Sequence, residues 1–310
     1  MNKLAHFIVH SKAAAYIAAL LCIVAWVVYA IGQSGGVDVV QCIGLLSCIL
    51  VGWLSVKVGR ELSFGDARSG LPATLFFMGC ALAPQLVPNG IETVHLMLLP
   101  VACYLLLHTY RDRGAMGSYF LAFVLVGVEC LLTPALLLVL PWIVLCGAFM
   151  DSLHGRTFFA ALWGLLLPYW VVGSVLFFID RTDLIVHWIG EIQPLVFAAP
   201  FLDSSQLVAV LLWVLLLFVP GSVAVVLDRT MRQQTGAGFR MLIAVLVVML
   251  VAVGLSSQLY TMLFPCVLLL TSLIGSTFFA RNSTRAKNIY LVVLLLGWLS
   301  FLIYTYGTGS

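Results

Sequence analysis

The run FFAALWGLLLPYWVVGSVLFFI at residues 158–179 is followed directly by the polar segment DRTDLIVHWIGEIQPLVFAAPFLD at residues 180–203. The first run has no charged residue and is long enough to cross a hydrocarbon core of about 30 Å as an α-helix. The second carries most of its polar residues in its first half and predicts an aqueous loop. The same alternation recurs along the chain and predicts a helical membrane protein.

The composition supports this class. Of the 310 residues, 63% are hydrophobic and 9% are charged, whereas soluble domains are about a quarter charged. We therefore predict an all-α fold, a polytopic transmembrane helix bundle with about eleven spans. The predicted spans are 13–31, 38–57, 71–88, 92–110, 116–132, 134–150, 158–179, 204–227, 240–257, 258–280 and 287–306.

The distribution of basic residues predicts the orientation. With the N-terminus inside, Arg181 is the only one of the fifteen Lys and Arg residues that falls on the outer side. We predict one transmembrane domain over residues 1–310, made of an N-terminal bundle (1–179), an outer loop (180–203) and a C-terminal bundle (204–310). A basic inner face suits anionic lipid head groups.

The outer loop contains the first group of candidate site residues. Read as a helix, it places Asp183, His187 and Glu191 on one face, with apolar residues on the other. They can act as general base or as metal ligands, or they can form the solvated face of an interfacial helix. Arg181 can clamp a phosphate, or it can form an ion pair with Asp180 or Asp183.

Two further candidates lie in the spans. Glu92 and His95, at the start of the fourth span, have the i, i+3 spacing found in carboxylate metal sites of helix bundles. The alternative is an acid at a positive helix end beside a partly buried histidine. Glu129 lies inside the fifth span, where an ionisable side chain faces a cavity, reaches the outer interface or is held protonated.

Several classes of function are disfavoured. There is no Walker A, dinucleotide-binding, nucleophile-elbow, zinc-protease or haem-attachment motif, and no basic cluster typical of nucleic-acid binding. The eight cysteines lie in apolar segments without a C-x-x-C pair, so a disulfide framework or cysteine metal site is not expected. The cofactor is left open, with a divalent metal as one option and no metal ligand assigned.

Most of the chain resembles an uncharacterised Bacteroidota-type family of multi-pass inner-membrane proteins. The residues that carry this resemblance are the hairpin 120–150, Arg156 to Phe159, and Gly164 to Tyr169. The segment 127–134 is similar to one in polyprenyl-phosphate-dependent, GT-C-like glycosyltransferases, although Pro134 stands where those enzymes carry a lysine. The first resemblance implies the bacterial inner membrane. The second implies chemistry at its outer face with a polyprenyl-phosphate carrier.

Three functions are compatible with these observations. The first is a lipid-linked sugar or phosphate transferase at the outer face of the inner membrane. Its catalytic residues would be Asp183, His187, Glu191 and Glu129, with Arg181, Glu92 and His95 binding substrate. The second is a non-catalytic subunit that scaffolds an envelope complex with other membrane proteins. The third is a transporter or lipid flippase, in which Glu129 and the proline-broken spans line a path.

Overall fold

A computed structural model describes residues 11–34, 39–61, 70–84, 92–138, 140, 144, 147–181, 183–184, 204–227, 233–255, 257–280 and 285–307. Within these ranges the chain forms ten α-helices, two 3₁₀ turns and no strand. The predicted all-α class is therefore confirmed.

The helices follow one another in simple order along the chain. They are α1 Lys12–Ser34, α2 Val39–Glu61, α3 Leu71–Leu82, α4 Glu92–Leu107, α5 Met116–Leu132, α6 Gly155–Phe178, α7 Ser204–Leu227, α8 Gln233–Leu255, α9 Ser257–Ala280 and α10 Arg285–Gly307. The 3₁₀ turns are Pro134–Leu138 and Gly147–Met150.

Five of the described helices are long and apolar enough to cross a membrane, and five shorter ones are also apolar. The long ones contain the runs Ala13–Ile31, Gln41–Gly59, Gly155–Phe178, Val210–Leu227 and Gln233–Val253. Helices of this kind belong to a membrane-embedded protein. The count of eleven spans, the inner N-terminus and the domain boundaries stay predictions.

The chain divides into two compact units. The first contains residues 1–93, 200–231 and 264–310, and its centre is α3. All twelve residues of α3 are buried, and α1, α2, α7 and α10 contact it. A helix of about 18 Å is shorter than the hydrocarbon core, but protein covers this one on its described sides. It ends at Leu82, two residues before Pro84 and short of the predicted span 71–88, because the residue before a proline is disfavoured in the α conformation.

The second unit contains residues 94–199 and 232–263, and its main packing is α5 against α6. Backbone contacts of two glycines define this seam. A Cβ on Gly127 would lie 2.7 Å from the Leu165 carbonyl oxygen, and one on Gly164 would overlap the Phe120 backbone. From Phe120 to Gly127 along α5, the contacts on α6 advance from Gly164 to Leu165 and Pro168, and Tyr119 near the start of α5 meets Ser152 just before α6. The two helices are parallel.

The structure differs from the predicted spans at two further places. The segment 134–150 was expected to be a helical arm; of its described residues, 134–138 and 147–150 form 3₁₀ turns, whereas residues 140 and 144 are α-helical. The span predicted to begin at residue 240 begins at Gln233 instead, because α8 includes Gly236 and Gly238. Glycine lowers helix propensity by only about 1 kcal/mol, which packing of the helix offsets.

Candidate functional site: the buried carboxyl of Glu129

Glu129 lies in the last turn of α5, which ends where Thr133 donates its backbone N–H to the Glu129 carbonyl at 2.8 Å. The side chain points into the second unit and is 1% exposed. Of the three environments that the sequence allowed, the outer interface is therefore excluded. The carboxyl group is enclosed by protein.

Residues from three helices surround this carboxyl group. The backbone of Leu99 in α4 is close enough to act on it electrostatically. Cys130, the next residue, interacts with Tyr169 of α6, and Gly127 packs against Pro168. The neighbourhood contains proline on both flanking helices, since Pro100 follows Leu99 and Pro168 precedes Tyr169.

Neither carboxyl oxygen of Glu129 has a hydrogen-bond partner among the described residues. The Leu99 backbone is nearby but does not meet the geometry of a hydrogen bond. A buried polar group without a partner destabilises a protein by about 1–3 kcal/mol, and an ionised one by more. Such a group persists against this penalty only where something outside the described fold satisfies it or function requires it.

The seam between α5 and α6 gives the depth of Glu129 along the bundle. Gly127 is level with Leu165 and Pro168, and Cys130 is level with Tyr169. Tyr169 lies about 4 Å beyond the midpoint of α6, at 1.5 Å per residue. Glu129, although in the last turn of α5, is therefore level with the middle of α6, which is long enough to span the membrane.

Arg181 and Asp183 lie at the carboxyl end of α6. Asp180 adopts a left-handed conformation (φ 57°), and the Arg181 N–H donates to the Leu176 carbonyl at 2.9 Å, which closes the helix. Both Arg181 and Asp183 are exposed. About 18 Å of helix separates Tyr169 from Arg181, so the structure does not bring Arg181 to Glu129.

The remaining predicted site residues are only partly described. The backbones of Glu92 and His95 belong to the first turn of α4, and their side chains lie outside the described part. His187 and Glu191 lie outside the described residues. Among the residues that are described, no group of three or more His, Cys, Asp or Glu side chains is placed to hold a metal ion.

The structure also brings together residues that sequence reasoning treated separately. Near the start of α5, the Ser152 hydroxyl lies 2.8 Å from the Tyr119 hydroxyl and 3.1 Å from that of Thr109, all three buried. Beside them Arg111 and Asp151, both in left-handed backbone conformations, form an exposed ion pair of 3.4 Å. These contacts hold two loops together, and an exposed pair adds little stability.

A second convergence involves cysteines of the first unit. Cys80 of α3 interacts with Cys22 of α1 and Cys48 of α2, and all three are buried and free. Their spacing in the sequence carries no such signal, because the thiols come from three different helices. They pack as small apolar groups with weak mutual hydrogen bonds.

Comparison with known proteins adds no assignment: no protein-family model, curated protein sequence or solved structure matches the chain. The resemblances to the Bacteroidota-type family and to the glycosyltransferases stay predictions. Any function must therefore be argued from the Glu129 site itself.

Proposed function

We propose that the protein is a membrane transporter or lipid flippase in which the Glu129 carboxyl group binds a proton or a cationic group of the substrate. The observation that carries this proposal is a fully buried carboxyl without a hydrogen-bond partner among the described residues, level with the middle of the long helix α6. Ionisable residues at this depth usually belong to substrate or proton pathways.

The helices around Glu129 support the same proposal. Pro100 in α4 and Pro168 in α6 each remove one backbone N–H, so a carbonyl one turn earlier loses its helical partner. Interrupted helices near the midplane provide backbone groups that bind ions and substrates in many transporters. Glu129 lies beside both interruptions. A substrate there could bind the Glu129 carboxyl group together with the carbonyls that the two prolines leave without helical donors.

A lipid-linked transferase is the second candidate, favoured by the exposed Arg181 and Asp183 at the carboxyl end of α6. A guanidinium in water beside a membrane surface suits the phosphate of a polyprenyl carrier. In this scheme Asp183, His187 and Glu191 act on the substrate, and Glu129 only lines an acceptor path. Arg181→Ala and His187→Ala variants with unchanged envelope-glycan synthesis would contradict it.

A scaffold subunit is favoured by a different surface. Trp163, Trp170 and Phe177 recur every seven residues on α6 and are 64, 76 and 70% exposed. Such a row faces either lipid or a partner helix. A scaffold function predicts that a Glu129 variant behaves like wild type, whereas the transport proposal predicts that the variant loses function.

The proposal is tested in liposomes that contain the purified protein. We expect wild type to dissipate a pH gradient, measured with a pH-sensitive dye, or to flip a head-group-labelled lipid, measured by dithionite reduction. Glu129→Gln keeps the shape of the side chain but removes the exchangeable proton, so both fluxes should fall to the background of protein-free liposomes. Asp112→Asn, an exposed residue before α5, is the matched control and should retain wild-type flux. Equal fluxes in wild type and Glu129→Gln contradict the proposal.

A further inference from the structure

An apolar groove of about 530 Å³ lies on the surface of the first unit, between α7, α9 and α10. Its long wall is α7 from Leu215 to Leu227, and its lining includes Phe278 and Lys287. Among the described residues that line the groove, Lys287 is the only charged one. The groove thus combines a long hydrocarbon-like surface with a single positive charge.

Specific contacts hold α7, the wall of the groove, in place. Pro220 cannot donate to the Leu216 carbonyl, and the Tyr290 hydroxyl donates to that carbonyl instead at 2.7 Å. On the other side of α7, Gly221 and Gly275 allow α7 and α9 to approach backbone to backbone. The interrupted helix is therefore held on both sides, and the groove follows its exposed face.

The position of the positive charge is also fixed. The Lys287 ammonium lies 4.8 Å from the centroid of the Phe278 ring, a cation–π distance, and Phe278 packs edge-on against Tyr290. Since α9 ends at Ala280 and α10 begins at Arg285, Lys287 and Phe278 lie at the end of the groove nearest this connection. A ligand in the groove would meet the cation at one end only.

We infer that this groove binds one anionic phospholipid of the bilayer, with an acyl chain along α7 and the phosphate beside Lys287. The wall from Leu215 to Leu227 is about 18 Å long, close to the roughly 15 Å of one leaflet of hydrocarbon. An acyl chain matches the apolar lining, and the phosphate complements the ammonium. Binding of this lipid does not depend on the transport function proposed for Glu129.

The sequence beside the groove favours a lipid with net negative charge over a zwitterionic one. Residues 228–232, which follow α7, contain two arginines and one aspartate, and residues 281–287 contain two arginines and Lys287 with no acid. These segments belong to the predicted inner side, where anionic lipids interact with basic residues. An additional negative charge on the head group is therefore stabilised, whereas a choline group is not.

The inference is tested by native mass spectrometry of the detergent-purified full chain, titrated with dioleoyl phosphatidylglycerol or dioleoyl phosphatidylcholine. We expect the first bound phosphatidylglycerol to have an affinity about fivefold higher than phosphatidylcholine. Lys287→Gln should abolish this preference. Lys57→Gln, which removes an exposed lysine of α2 outside the groove, is the matched control and should retain it.

A second variant tests the position of the acyl chain. Ala224 lines the groove, and Ala224→Phe fills it without changing charge, so binding of both lipids should weaken. Equal affinity of wild type for the two lipids overturns the inference, as does a phosphatidylglycerol preference that survives in Lys287→Gln or disappears in Lys57→Gln. Unchanged lipid binding in Ala224→Phe also overturns it, because the chain would then lie elsewhere.

Discussion

At the scale of single residues, backbone carbonyls inside helices accept hydrogen bonds from side chains of other helices, and a proline in the helix can make such a bond necessary. The Leu216 carbonyl loses its helical donor at Pro220 and receives the Tyr290 hydroxyl from a helix 74 positions later in the chain. Trp298 also donates to a backbone carbonyl of another helix, that of Met78 in α3, at 2.7 Å, although no proline lies four residues after Met78. In an apolar environment these side chains replace the water that would otherwise satisfy the carbonyl groups.

The hydroxyl of Tyr290 should therefore matter only while residue 220 is proline. We expect Tyr290→Phe to lower the free energy of unfolding in detergent by about 1 kcal/mol, because the Leu216 carbonyl at the apolar surface of α7 loses its donor. In a Pro220→Ala background the restored N–H can bond Leu216, and the same change should have little effect. A double-mutant cycle by thermal unfolding measures this coupling. Tyr16→Phe, at a 70% exposed position, is the control, and equal losses in both backgrounds contradict the prediction.

At the scale of helices, two glycines set the distance between α5 and α6. Gly164 faces the Phe120 backbone and Gly127 faces the Leu165 carbonyl, so each lies where only a hydrogen atom fits. Close approach of this kind is the usual basis of helix association in membranes, where apolar burial gives no driving force. The seam also positions Cys130, the neighbour of Glu129, next to Tyr169, and so the site depends on it.

Replacing Gly164 should separate the helices. We expect Gly164→Leu to destabilise the protein by about 1–3 kcal/mol or more, since the Phe120 backbone cannot move aside as a side chain could. Gly173 lies on the same helix with open space where a Cβ would stand, so Gly173→Leu is the matched control and should change stability by less than about 0.5 kcal/mol. Similar unfolding temperatures for both variants in one detergent would argue against the seam.

At the scale of the whole molecule, the parallel direction of α5 and α6 constrains the path of the chain. Thr133 lies at the far end of α5, whereas Met150 accepts a hydrogen bond from the Arg111 N–H before its start. Thr133 and Met150 thus lie near opposite ends of α5, about 25 Å apart along its axis. The helices α5 and α6 run through the second unit in the same direction.

This path predicts which residues share a side of the membrane. With single cysteines introduced in a Cys42→Ala background, Asp112→Cys and Arg156→Cys should react with a membrane-impermeant maleimide from one side, and Asp183→Cys from the other. The predicted inner N-terminus places Asp183→Cys outside, so intact cells should label it alone. Inverted vesicles provide the reverse control. Labelling of Arg156→Cys and Asp183→Cys from the same side would contradict a membrane-crossing α6.

The sequence alone determines the class of this protein, because hydropathy is a local property of each segment. It also identifies Glu129 as exceptional, since a carboxyl in an apolar run is costly wherever the run packs. Only the tertiary structure decides that α5 and α6 are parallel, that Glu129 lacks a described partner near mid-span, and that Tyr290 satisfies Leu216. Those facts depend on contacts between distant segments, which local composition does not encode.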